Sequence, residues 1–420
     1  MSTTQKPAND CDSQDPSKLL SVDEALQQIL ESIEPIQGFE RCPLQQAYNR
    51  IVAEPVISPL NVPNHVNSAM DGYAVNGSEL PQSDTVSLQV VGTAYAGNPY
   101  DGSLTAGQAV RIMTGAVVPD GADTVIMQEA VERDGDTITL QPGHKAGENV
   151  RHIGEDIAKG GVVLAPGKKI RAAEMGLLAS LGVGEVTVRR KLRVATFSTG
   201  DELCSIGETP KEGQIFDSNR YSIAGMLRSL NAEHIDMGVI RDDPDAISNA
   251  FSTAASIADV LITSGGVSVG DADYVKQTLD KLGKVNFWKI KMKPGKPLAF
   301  GQLNSALFFG LPGNPVSVMA TYYEIVQPSL RRLMGQESLT PFRVKVRCID
   351  KLKSPAREDF QRGILERDKD GELVVRSTGN QGSHILSSMS QANCFIVVPA
   401  EVRGVEPGET VLVEPFEGLL

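Results

Sequence analysis

Apolar positions recur at helical spacing in a short stretch near the N-terminus, where Val22, Leu26, Ile29, Leu30 and Ile33 fall on one face. Ser21 precedes that face and Glu24 stands three positions on, the arrangement of a reciprocal N-terminal cap, so a helix is predicted over residues 21–33. Between residues 61 and 151 the pattern changes to short apolar runs (86–91, 109–113, 124–127, 137–140) parted by Gly, Pro and Asp, which predicts a small β-rich domain. A second helical stretch at 171–181 stops at Gly182 and leads to a strand-like run at 185–189. Helical material thus flanks the β-rich insert on both sides, as one discontinuous domain would require.

From residue 193 to 335 strand-like runs (194–198, 234–240, 259–263, 286–291, 307–310) are separated mostly by helical patterns at 221–230, 244–256 and 274–282. Such alternation predicts a parallel sheet covered by helices on both faces. Beyond residue 342 only strand-like runs remain, with a hairpin expected at Asp370 and Gly371 and strands at 394–398 and 410–413. The fold class read from the chain is therefore α/β plus β. Its expected parts are a disordered tail (1–20), a mixed discontinuous domain (21–60 with 152–190), a β-rich insert (61–151), an α/β domain (191–336) and a small barrel-like β-domain (340–420).

Composition removes several functions from consideration. With 41% hydrophobic and 22% charged residues the chain is ordinary globular protein, and its net charge of -12 argues against a broad nucleic-acid footprint. Cys11, Cys42, Cys204, Cys348 and Cys394 are scattered, with no pair at metal-ligand spacing, which fits a reducing, cytoplasmic setting. No apolar run approaches the length that spans a bilayer.

Chemistry concentrates in loops that follow the strands of the predicted parallel sheet, where ligands of open α/β sheets sit. These are Ser198-Thr199-Gly200-Asp201-Glu202, Arg241-Asp242-Asp243, the glycine-rich Ser264-Gly265-Gly266-Val267-Ser268-Val269-Gly270 running on to Asp273, and Leu311-Pro312-Gly313-Asn314-Pro315. The glycine-rich loop suits a phosphate cradle ahead of a helix N-terminus, although a tight turn would look the same. Glu202, Asp242 and Asp273 would crowd like charges around a phosphate, a conflict that Mg²⁺ resolves; singly, each could be a helix cap. Lys289, Lys291, Lys293 and Lys296 form a basic cluster in an acidic protein, either an oxyanion site or a lysine-decorated edge strand.

Taken together these strings resemble the MoeA and gephyrin E-domain family, the molybdopterin molybdenumtransferases. The resemblance runs from about residue 20 to the end. It also rests on Asn67-Ser68-Ala69-Met70-Asp71-Gly72-Tyr73-Ala74, Arg111-Ile112-Met113-Thr114-Gly115-Ala116, Gly154-Glu155-Asp156-Ile157, Lys293-Pro294-Gly295-Lys296-Pro297, Asp359-Phe360-Gln361-Arg362-Gly363 and Gly379-Asn380-Gln381-Gly382-Ser383. It implies an elongated homodimer in which the α/β domain of one subunit faces the β-rich domain of the other. The catalytic set it implies is Asp71, Thr114, Asp156, Glu202 and Asp242, and the metal set Glu202, Asp242 and Asp273.

On the substrate side it implies Ser198, Thr199, Gly200, Ser264, Gly265, Gly266, Ser268, Gly270, Asp273, Lys289, Lys293, Lys296, Pro312, Gly313, Asn314, Pro315, Arg362 and Ser383. Lys289, Lys293, Pro312, Pro315, Arg362 and Ser383 would line the molybdate and pterin side. The implied reaction joins adenylyl-molybdopterin and molybdate to give molybdenum cofactor and AMP with Mg²⁺. The preceding adenylyltransferase and acceptor molybdoenzymes are implied partners. Alternatives are the adenylyl transfer itself, whose family resembles the α/β domain alone, and a non-catalytic scaffold of the gephyrin type. Tungstate has the charge and nearly the shape of molybdate, so the sequence does not separate the two oxyanions.

Overall fold

The computed structural model describes residues 19–265, 278–279, 282–336, 339 and 341–416. The first helix runs Val22–Glu31, with Ser21 accepting from the Glu24 amide and Glu24 accepting from the Ser21 amide. Its buried face does not join the discontinuous domain as expected. Val22, Ala25 and Ile29, with Ile33 just beyond, enter the same core as Val194, Val260, Phe309 and Leu330 of the α/β domain. Leu20, expected in the tail, is buried and pairs with the chain beside Ile290, donating to the Lys289 carbonyl (3.1 Å) and accepting from the Lys291 amide (2.7 Å). Apolar burial on the sheet holds this segment in place.

Two segments far apart in sequence pack together beside it. Phe39–Pro43 pairs antiparallel with Glu185–Arg189, and Val56–Ile57 with Val162–Leu164. Cys42, Ala47 and Val52 share one core with Leu164, Ile170, Leu178 and Val188, the helix Ala172–Ser180 contributing Leu178. Between these segments the insert forms a six-stranded sheet in the order Thr124–Met127, Gly72–Val75, Gln108–Ile112, Val86–Ala94, Thr137–Leu140, Val131–Asp134. One apolar cluster lies on each face of that sheet.

The α/β domain departs from the wholly parallel sheet expected of it. Glu233–Ile240, Arg193–Thr199, Val260–Ser264 and Ala306–Leu311 are parallel neighbours, but Pro297–Leu303 follows antiparallel and Gly283–Lys289 closes the edge antiparallel to it. Pro297–Leu303 begins on a proline and carries Gly301 past its midpoint, which breaks the apolar run that marks a buried strand. Gly301 is there because a Cβ would run into the Lys284 backbone of the neighbouring strand. Reversing twice leaves Gly283–Lys289 pointing the same way as the parallel strands, so its end at Lys289 still arrives at the rim shared by their carboxyl ends. The expected helix at 274–282 lies almost wholly outside the described residues.

Past residue 341 the chain forms a closed barrel. Glu358–Arg367, Leu373–Ser377, Val344–Cys348, Thr410–Pro415 and Cys394–Val398 are successive neighbours, and the last pairs back onto the first. The expected hairpin is found, with Gly371 at φ 84°. Met292–Lys293 joins the barrel edge beside Glu358 and Asp359, which ties the barrel to the sheet rim. No helix among the described residues is long and apolar enough to cross a membrane.

Candidate active site

The rim of the α/β sheet and one end of the barrel enclose a cavity of about 600 Å³. Its wall is built from Glu202, Gly265, residues 293–297, 312–314, Ser317, Arg357 and 381–383. Each loop is held by backbone geometry. Gly200 takes φ 143° under the Glu202 carboxylate, whose Oε1 would lie 2.7 Å from a Cβ. Gly265 takes φ 88° with the Thr199 carbonyl 2.8 Å from where a Cβ would sit, so there the backbone passes too close for a side chain, while at Gly200 the positive φ is what favours glycine. Ser198, Thr199 and Ser264 are buried in their strands and support the rim from beneath.

Asn219, in the first turn of the helix Ser218–Ser229, joins two of these loops. Its amide donates to Ser264 Oγ (2.9 Å) and to the Gly313 carbonyl (2.8 Å). Asn219 belongs to no sequence motif; its signal is an amide two residues after the helix cap Asp217. Pro312, Gly313 and Asn314 reach the wall, while Pro315 opens the helix Pro315–Thr321 behind it.

Among the described residues the charge of the cavity wall is predominantly positive. Lys293, Lys296 and Arg357 stand against Glu202, the one carboxylate on the described wall. Lys293 Nζ also lies 3.3 Å from Asp359 Oδ2. Burial pushes the Asp359 carboxyl up, and Lys293 opposes that rise. Lys289, expected on this wall, is exposed and stands off it, because the strand ends there and its backbone turns to pair with Leu20. Arg357 was not foreseen, since a lone arginine before an acidic strand carries no motif.

Arg362 corrects a further expectation. It is 1% exposed and sits behind the wall, with Nε on Ser388 Oγ (3.0 Å) and Nη2 on the carbonyls of Gly382 (3.0 Å) and Asn380 (3.4 Å). Its backbone amide donates to Gln381 Oε1 (2.8 Å), and burial lowers the guanidinium to about 10. The fork expected on an oxyanion therefore fastens the loop that carries Gln381 and Ser383. That loop is pinned from the other side by the Val316 amide on the Ser383 carbonyl (3.1 Å).

Three expected residues lie away from this cavity. Asp71 accepts from both the amide and the hydroxyl of Thr114 (2.7 Å each) on an exposed corner of the insert, and those bonds hold its carboxyl below the usual range. Asp156 lines a separate cavity with Val62, Pro63, Asn67, Arg151 and Glu155. Of the metal set, Glu202 is on the wall, and Asp242 sits on an exposed loop with its amide 3.5 Å from Asp201 Oδ1. Gly266, Ser268, Gly270 and Asp273 lie outside the described residues. Among the described residues no group of three or more His, Cys, Asp or Glu side chains is placed to hold a metal.

The chain matches three family models in order: the MoeA N-terminal region (domains I and II) over residues 20–182, the probable molybdopterin binding domain over 195–332, and the MoeA C-terminal region (domain IV) over 345–416. A molybdopterin molybdenumtransferase of Haemophilus influenzae is 48% identical over 405 residues, covering 96% of this chain and 100% of the relative. The chain belongs to the MoeA family. Another molybdopterin molybdenumtransferase, from Nostoc, is 39% identical over 92% of this chain and 90% of its own. The crystal structure of the molybdopterin biosynthesis MoeA protein of Pyrococcus horikoshii superposes with a TM-score of 0.82 at 30% identity, covering 95% of this chain and 100% of that one. The first MoeA region takes in the insert and all of the discontinuous domain but its strand Glu185–Arg189, the second the rim strands and the third the closed barrel, so the rim cavity lies where the second and third meet.

Proposed function

We propose that this chain carries out the closing step of molybdenum cofactor assembly, in which molybdate and adenylyl-molybdopterin yield molybdenum cofactor and AMP. The observation that carries this reading is the rim cavity, where among the described residues three cations face one carboxylate in a protein of net charge -12. An oxyanion and a phosphate-bearing pterin both need local cations there. The metal's sulfur ligands belong to the pterin, so the cavity has no need of cysteine. Lys293 and Lys296 hold the oxyanion, Gly265 and Gly313 let the backbone approach the substrate closely, and Ser383 offers a hydroxyl from the barrel loop.

Glu202 fits a Mg²⁺ that keeps most of its waters and takes its other anionic ligands from the substrate, with Asp242 and Asp273 as further candidates. Bound there, Mg²⁺ would neutralise phosphate charge. Asp71, Thr114 and Asp156 would reach a rim cavity across a homodimer, each cavity facing the insert of the other subunit. The protein would work in the cytoplasm, between the adenylyltransferase that supplies its substrate and the molybdoenzymes that accept its product.

Purified protein incubated with adenylyl-molybdopterin, molybdate and Mg²⁺ should release AMP and restore activity to an apo molybdoenzyme. Molybdate-independent formation of adenylyl-molybdopterin from ATP and molybdopterin would point to the preceding transferase instead. Binding without turnover would point to a scaffold.

A further inference from the structure

A second cavity, of about 480 Å³, lies where the discontinuous domain, the last helix of the α/β domain and the barrel meet. Lys169 and Arg171 come from the first, Arg331 from the helix Gln327–Leu333, and Phe416 from the barrel's last turn. None of these three cations has an ion pair or a side-chain hydrogen bond among the described residues, whereas their neighbours are satisfied. Lys168 pairs with Glu174 (3.2 Å), and Glu414, the carboxylate on this wall, is taken by Arg343 (2.9 Å). Burial lowers the proton affinity of both Lys169 and Arg331; repulsion from Arg331 and Arg171 adds to it for Lys169, while Tyr322 and Glu414 partly offset it for Arg331. Among the described residues these three cations stand together at a domain junction with no carboxylate in ion-pair contact, although Glu414 attracts Arg331 from the same wall.

We propose that this cavity binds a phosphate monoester with an apolar body, the phosphate held by Lys169, Arg171 and Arg331 and the body laid against Pro328, Pro415 and Phe416. Two guanidinium forks and an ammonium suit a tetrahedral dianion better than a carboxylate. The space is of the size that small organic ligands fill, far larger than the oxyanion alone, and Pro328, Pro341, Phe342, Pro415 and Phe416 give its otherwise polar wall an apolar side. Because the three cations belong to different parts of the chain, such a ligand would fix how those parts sit against one another. The site is separate from the rim cavity and shares no wall residue with it.

Calorimetric titration of the full-length protein with phenyl phosphate, inorganic phosphate and phenol tests the assignment. Phenyl phosphate should bind about tenfold tighter than inorganic phosphate, with no heat from phenol at the same concentration. Lys169→Gln should weaken phenyl phosphate about tenfold, and Lys169→Gln with Arg171→Gln further, both being outlying positions that spare the fold where Arg331→Gln could disturb it. Lys293→Ala should leave the affinity unchanged. Affinity that survives the Lys169→Gln, Arg171→Gln double variant, or that disappears in Lys293→Ala, would overturn the site. Inorganic phosphate binding as tightly as the ester would overturn the organic ligand.

Discussion

Lys293 reaches from the sheet rim to the barrel, where its Nζ lies 3.3 Å from Oδ2 of a buried Asp359 that also accepts from Gln361 (3.0 Å). The ammonium is thereby aimed before any ligand arrives. Its charge is not cancelled, because it stays partly exposed toward the cavity while the carboxylate does not.

Asp359→Asn should therefore raise the molybdate concentration needed for half-maximal cofactor formation by about tenfold, since Lys293 loses its anchor but keeps its charge. Lys293→Ala should raise it further. If Asp359 acts through Lys293, the double variant will be no worse than Lys293→Ala alone in steady-state titrations. Additive losses would mean that the two residues act independently.

Arg362→Lys should lower stability by about 2 kcal/mol, because lysine cannot replace three hydrogen bonds made by a buried fork and leaves loop carbonyls unmet. Thermal unfolding reads that loss directly. Cofactor formation should fall with it, through the loop bearing Ser383, and excess molybdate should not restore the rate. Full rescue by molybdate at unchanged stability would put the guanidinium back on the oxyanion.

Local pattern carried the element types well but not where each side chain points. The capped first helix, the split domain, the rim loops and the Asp370 hairpin all follow from spacing and turn chemistry. Pro297–Leu303 was not read as a strand because Gly301 answers to a neighbouring backbone, a contact with no trace in its own segment. Arg362 shows the same limit at the site. An arginine beside a glycine in a strand is as suited to a substrate as to loop carbonyls, and only the closing of the barrel decides which it meets. Asn219 and Arg357 carry no motif, their roles arising from loops distant in sequence.

If the rim cavity of one subunit works with Asp71 of another, two separately inactive proteins should complement each other. Asp71→Ala and Glu202→Ala, mixed in equal amounts and allowed to exchange subunits, should regain about a quarter of wild-type activity, since half the dimers would be mixed and each would hold one intact cleft. The measurement is AMP release after exchange has been verified by mass. No recovery would place both residues in a single subunit's site.

Glu324 gives the protein a pH dependence that its surface charge does not. It is 2% exposed, with Arg343 Nη2 3.1 Å from its Oε2, while the same arginine also serves Glu414. Burial, with Glu414 next in effect, holds its carboxyl well above the ordinary 4.5, and Arg343 only partly offsets this. A carboxyl raised in the fold takes up a proton on folding. Its contribution to stability is therefore complete below the unfolded value near 4.5 and is lost as pH rises through the folded one. Glu358 and Asp359 are raised by burial as well and act in the same direction. Glu324→Gln keeps the shape and removes the ionisation, so its melting temperature should approach or fall below wild type at pH 5 and exceed it at pH 8. Melting curves across that range decide the point. A difference that stays constant with pH would mean that Glu324 is ionised throughout and that Arg343 wins over burial.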